Sequence, residues 1–135
     1  MIQLTRRLDR VYGINNSYII RGKFRTKKKE VSDYQKEWQY LAQEHRHLFK
    51  SFNPKEKYLT IETVWYNPKF YKKDGSMSKT AGDTDGIIKF IKDGICDGLG
   101  INDAFVKKES ISQLPTNEKH HTVSVLIGIK NLINI

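Results

Sequence analysis

The chain has 135 residues, with 24 Lys and Arg against 15 Asp and Glu, a formal net charge of +9. That length suits one domain over residues 1–135, large enough to bury a core without disulfide staples, and the single cysteine, Cys96, fits a reducing, cytosolic setting. No apolar run is long enough to span a bilayer and the first residues do not read as a signal peptide, so a membrane or secreted role is not expected; the positive excess points instead to a polyanion, most commonly nucleic acid.

Residues 2–7 are short and mixed and read as the start of an edge strand. Asn15 and Asn16 read as a turn, and residues 18–20 are β-prone. The first strong element is a helix beginning near Ser32, which with Gln35 has the spacing of a capping box. Val31, Tyr34, Trp38, Leu41, His45 and Leu48 recur at steps of three and four and form one apolar stripe, either core or a dimer face. Pro54 ends that segment.

Residues 59–66 read as a strand with Leu59, Ile61, Thr63 and Trp65 on one face. Residues 67–80 contain Pro, Gly, Ser and several lysines and read as a long loop. A second helix is expected over about residues 84–97, with Ile87, Ile88, Ile91 and Ile95 on one side and Asp85, Lys89, Lys92 and Cys96 on the other. Gly98-Leu99-Gly100 reads as its terminator. Phe105 and Val106 begin a short strand, and Val123, Val125, Ile127 and Ile129 alternate as a half-buried one. Helices and strands thus mix without regular alternation. The fold class expected is α+β, a single domain with two main helices packed on a mixed, largely antiparallel sheet.

The densest chemical signal is Gly82-Asp83-Thr84-Asp85-Gly86, followed by Lys89, Asp93 and Asn102-Asp103. Two close carboxylates repel unless a positive charge sits between them, and a hard divalent cation such as magnesium takes oxygen ligands of this kind. Asp103 supplies a third carboxylate, and Lys89 lies one helical turn beyond Asp85, where it can approach a phosphate oxygen. A plainer reading stands beside this one. Asp83 can cap the helix, Asp85 can favour its positive end, and Lys89 can simply pair with Asp85. Reach is a further constraint. A helix of about 13 residues is roughly 20 Å long, about the full extent of the six residues that lead to Asp103. Either the chain doubles back along the helix, or Asp103 serves another cluster or a partner subunit's site.

The order Asp83-x-Asp85, Lys89, Asp93, Asp103 resembles the signature of the RusA-type Holliday junction resolvases. Asn102-Asp103-Ala104-Phe105-Val106 is similar to the family's paired acidic residues before a short strand. Asn15-Asn16-Ser17-Tyr18 and Gly22-Lys23-Phe24-Arg25-Thr26 resemble its N-terminal turn and basic stretch. Two positions depart from the pattern. Gly86 stands where the family usually has asparagine, and Asn102 replaces the first residue of the acidic pair. The resemblance implies a homodimer that nicks opposed strands of a four-way junction, and an origin in phages or prophages is common in the family. It implies magnesium, with manganese as the alternative, held by Asp83, Asp85 and Asp103 to activate water, while Lys89 neutralises charge on the scissile phosphate. Asp83, Asp85, Lys89 and Asp103 are then the catalytic set, branched DNA is the partner, and no small-molecule cofactor is expected.

Two basic groups suit phosphate contacts: Arg21, Lys23, Arg25, Lys27, Lys28 and Lys29 before the first helix, and Lys69, Lys72, Lys73 and Lys79 in the loop entering the acidic motif. Tyr66, Phe70 and Tyr71 adjoin the second group and could stack on a splayed base or pack on the sheet. The histidine pairs His45 and His47, and His120 and His121, are not spaced as metal ligands, and Cys96 reads as a small helix-face residue. Competing functions are a nuclease for flaps or forks, and a non-catalytic DNA-binding protein.

Overall fold

In the computed structural model, residues 1–14, 17–21, 24–79 and 84–134 are described, with the side chains of all but Arg21, Thr84, Asp85 and Asn134. The strands are β1 (Ile2–Leu8), β2 (Tyr18–Arg21), β3 (Phe24–Lys27), β4 (Lys57–Asn67), β5 (Val106–Pro115) and β6 (His121–Asn131). The helices are α1 (Lys29–Gln43) and α2 (Thr84–Leu99). β1, β6, β4 and β5 form a four-stranded sheet in that order, and β2 and β3 form a separate hairpin. β1 pairs antiparallel with β6, β6 antiparallel with β4, and β4 parallel with β5. The sheet is therefore mixed and largely antiparallel, and β1 lies at its edge, both as expected.

Alternation decides which face of the sheet is covered. Leu59, Ile61, Thr63 and Trp65 of β4 are buried, as are Val123, Val125 and Ile127 of β6 and Ile2 and Leu4 of β1. Register aligns them across the sheet, with Leu4 opposite Val125, Ile61 opposite Ile127 and Trp65 opposite Val123. Both helices belong to the core formed with this face. α2 contributes most, burying Ile87, Ile88, Phe90, Ile91, Ile95, Cys96 and Leu99. Each large apolar side chain so removed from water stabilises the fold by roughly 1.5–3 kcal/mol before entropy is counted. The α1 stripe is core, not a dimer face: Val31, Tyr34, Trp38 and Ala42 are buried.

Four sequence expectations need correction. α1 starts at Lys29, three residues before Ser32, and Lys28 occupies the N-cap with no side-chain cap bond. Ser32 instead donates its backbone N–H to the Lys28 carbonyl, inside the first turn. The helix then ends at Gln43 and a 3-10 turn follows over Arg46–Phe49, so the stripe breaks and Leu48 is exposed while Phe49 is buried. Third, α2 continues through Gly98 to Leu99, and Gly100, at φ +72°, terminates it. Gly98 is inside because α1 passes against it: a Cβ there would sit 2.3 Å from the Gln39 carbonyl oxygen. Gly94, one turn earlier, faces the Gln35 carbonyl at 2.4 Å in the same way. Fourth, the short strand expected to begin at Phe105 and Val106 starts at Val106 and is the ten-residue β5, with Phe105 in the 3-10 turn before it.

Candidate active site and nucleic-acid interface

The chain does double back after α2. The Gly100 N–H donates to the Asp97 carbonyl at 3.2 Å and the Ile101 N–H to the Cys96 carbonyl at 3.0 Å, which fastens the turn to the helix end. Asn102 then caps a 3-10 turn over Asp103–Phe105, its side chain accepting from the Ala104 N–H at 2.9 Å. Asp103 is thereby returned to the flank of α2. It shares a cleft of about 590 Å³ with Asp93, Cys96, Asp97, Lys27 and Gln35. Asp103 and Asp93 both act on the titration of Lys92 and Cys96, which places the four groups in one electrostatic neighbourhood.

Asp83 lies outside the described residues, as does the side chain of Asp85. The backbone that carries Asp85 opens α2. There the Ile14 N–H donates to the Gly86 carbonyl at 3.2 Å, so the segment leading into Asn15 and Asn16 abuts the start of the helix. Asp85, Lys89 and Asp93 follow one another at helical steps of four, so Asp93 stands roughly 12 Å along the axis from Asp85. Lys89 is half-exposed, and its Nζ lies 3.5 Å from Asp93 Oδ2. The carboxylates that share the cleft with Asp103 are therefore Asp93 and Asp97, neither of which belongs to the expected metal set. Among the described residues no three His, Cys, Asp or Glu side chains come together closely enough to hold an ion.

Besides the Lys89–Asp93 pair, a second ion pair and a buried thiol stand beside the cleft. Lys92 Nζ sits 3.0 Å from Glu109 Oε2, tying α2 to β5 beside Asp103. Burial pushes the Lys92 ammonium down, but the Glu109 bond and the charges of Glu109, Asp103 and Asp93 outweigh it and leave the lysine above its ordinary value. Burial, reinforced by Asp103, pushes the Cys96 thiol up to about 12. A thiol so held stays protonated and poorly nucleophilic at neutral pH. The donors left to the cleft are carboxylate oxygens, a hard set that fits magnesium or manganese better than zinc.

The basic groups divide. Lys27 is not a freely solvated loop residue: its Nζ donates to Gln35 Oε1 at 2.8 Å, lies 5.8 Å from the Phe90 ring centroid and lines the acidic cleft. Arg25 lies over the Tyr18 ring at 4.2 Å on the β2–β3 hairpin. Lys29 reaches Asp33 at 3.8 Å, and Lys28 is half-buried with its backbone N–H bonded to the Ser17 carbonyl. Lys23 and the Arg21 side chain lie outside the described residues. In the loop after β4, Lys69, Lys72, Lys73 and Lys79 are all exposed, with Lys72 4.0 Å from Asp74. Tyr66 and Tyr71 are exposed beside them, and Phe70 meets Tyr71 edge-on at 5.0 Å. Arg46 and Lys50, which no sequence motif marks, add an exposed basic edge on the other side of the Gly100 turn.

A basic α+β domain that sets a carboxylate cleft beside exposed cations has the features of a protein that acts on nucleic acid. The comparison with known families is specific. A protein-family model described as Endodeoxyribonuclease RusA matches residues 14–127, and the chain belongs to that family. Membership carries endodeoxyribonuclease activity, with branched DNA junctions as the family's substrate. No curated protein matches the chain significantly. Among the described residues no helix is long and apolar enough to cross a membrane.

Proposed function

We propose that residues 1–135 form one magnesium-dependent, structure-specific endodeoxyribonuclease domain that resolves four-way junctions by paired nicks across a homodimer, in the cytoplasm where such DNA lies. The observation that carries this reading is the return of Asp103 to the flank of α2, where it shares a cleft with Asp93 one turn from Lys89. Asp83, Asp85 and Asp103 would hold the cation. When bound, it would supply Lewis acidity toward a phosphate oxygen and lower the pKa of water. Lys89 places a positive charge for the phosphate as negative charge develops, and Asp93 holds that ammonium along the helix. Lys27, braced by Gln35, offers a second cation at the cleft wall. The exposed lysines of the loop after β4 grip backbone phosphates without reading bases.

The test compares a synthetic four-way junction, a fork, a flap and linear duplex, each with and without magnesium. Symmetric nicking of the junction is expected, with Asp103→Asn abolishing cleavage while retaining binding. Preferred cleavage of forks or flaps would replace the substrate assignment. Absence of cleavage on every substrate would leave a DNA-binding protein whose aspartates only cap and pair.

A further inference from the structure

The Gly100 turn has two sides. Gly100, Ile101 and Asn102 line the acidic cleft, and the same three residues line a second groove of about 360 Å³. Its other walls include Arg46, Phe49, Lys50, Phe52, Leu99 and Phe105. The two sites are opposite in charge. Three aspartates and one lysine line the cleft, whereas the groove has two cations and no carboxylate. Arg46 and Lys50 are exposed, and among the described residues neither takes part in an ion pair.

The groove also offers flat surfaces. The Phe52 and Phe105 rings lie 6.0 Å apart, tilted by 44°, and both are only partly buried. The Arg46 guanidinium lies broadside over Gly100: a Cβ at that glycine would meet Nη2, Cζ and Nε at 2.6, 2.9 and 2.9 Å. The φ of +72° is what requires glycine there; for a Cβ the guanidinium, the end of a flexible exposed side chain, would only have to shift. An arginine near the negative end of α2 has a structural use. That use does not account for a second unpaired cation four residues away, nor for the aromatic walls between them.

Cations without counter-charge beside aromatic surfaces match the chemistry of a nucleotide, whose base has a π face and whose phosphate is anionic. We propose that this groove takes an unpaired nucleotide of the strand whose phosphodiester lies in the acidic cleft. Its base packs against Phe52, Phe105 and the Arg46 plane, and its phosphate meets Lys50. The proposal rests on the endonuclease reading and deepens it: a groove that needs an unstacked base next to the cut favours branch points over continuous duplex. Stacking of this kind is tolerant of sequence, because every base has a π face.

Binding without metal tests the groove apart from cleavage. Fluorescence anisotropy would compare labelled oligothymidylate, an abasic oligomer of equal length and a duplex. Phe52→Leu keeps apolar volume and removes the ring. Arg46→Lys keeps charge and removes the plane, and because Arg46 is exposed it serves even if Phe52→Leu does not fold. Each is expected to weaken oligothymidylate binding about tenfold while leaving the abasic oligomer and duplex unchanged. Equal losses on all three probes would reduce the groove to a phosphate contact and overturn the proposal. Photocrosslinking with 5-iodouracil should label Phe52 or Phe105; labelling confined to Tyr66, Phe70 or Tyr71 would overturn it too. So would a change in sedimentation with oligothymidylate affinity intact, which would seat a second copy of the chain there. Wild-type protein that binds through the groove and cuts nothing would defeat the endonuclease reading alone.

Discussion

Replacing Gly98 by alanine tests how closely the two helices are locked. An alanine Cβ there would lie 2.3 Å from the Gln39 carbonyl oxygen and 2.9 Å from the Ala42 Cβ, where real contacts stay beyond 3.0 Å. Neither neighbour is the end of a flexible chain, so α1 and α2 must separate by roughly 0.7 Å, the shortfall against that limit. Overpacking of a core costs about 1–3 kcal/mol, and a clash with backbone belongs at the upper end. Helix propensity works the other way by up to about 1 kcal/mol. The net expectation is a loss of about 2 kcal/mol, which for a chain of this size lowers Tm by roughly 7 °C. Gly86→Ala is the internal control, because its Cβ would meet only Ile14 at 3.8 Å, an ordinary contact. Thermal and urea unfolding of both variants gives the comparison. A Gly98→Ala protein as stable as the parent, or a matching loss in Gly86→Ala, would refute the close-packing argument.

Other outcomes follow from the buried polar groups and the surface charge. His121 is buried and accepts the Trp65 Nε1–H at Nδ1, and burial, with Lys69 and His120 adding to it, holds its pKa below the ordinary value. Protonation is therefore disfavoured in the fold, so the stability it contributes is complete above about pH 6.5 and declines as pH falls toward the lowered folded value. His121→Gln should flatten that limb of a pH–stability profile, and an unchanged slope would discount the histidine. Cys96 should not react with an aromatic disulfide at pH 8 until the protein is denatured, since its thiol is buried and pushed up to about 12; rapid labelling of the native protein would contradict this. Lys92→Met should destabilise by about 1 kcal/mol, because it leaves Glu109 beside Asp103 and Asp93, and adding Glu109→Leu should restore most of the loss. Neutralising Lys27, Lys28 and Lys29 should lower the salt dependence of duplex binding by about 0.9 for each DNA phosphate no longer neutralised, and an unchanged slope would remove them from the interface.

Much of this fold is readable because its core elements obey their periods. β4 and β6 alternate cleanly, since one face of each meets the helices, and α1 and α2 show apolar stripes for the same reason. β5 is the poorest match. It pairs on one side only, its register shifts between Leu59 and Thr60, and its exposed residues outnumber its partly buried ones, so no apolar alternation marks its length. The helix ends mislead for a different reason. Gly98 has the composition of a terminator but serves an interhelical contact whose other half lies in α1, which local spacing cannot reveal. The acidic motif is visible as residue types, and Lys89 as a helical neighbour. That Asp103 keeps company with Asp93 depends on the Gly100 turn, and the groove beside it joins Arg46 to Phe105, residues far apart in the sequence. Asp83 and the Asp85 side chain remain sequence assignments.

The parallel pairing of β4 with β5 has a consequence for how such a protein diversifies. A hairpin couples loop length to strand register, so inserting a residue there threatens to slip the sheet. Here the connection from β4 to β5 passes through residues 68–83 and the whole of α2, and β4 is held in register by β6 on its other side. The lysine-bearing segment can therefore lengthen, shorten or exchange its residues without disturbing the ladders of the four-stranded sheet. The DNA grip proposed for that segment is then a module that selection can retune while the hydrophobic core and the carboxylates on α2 stay as they are.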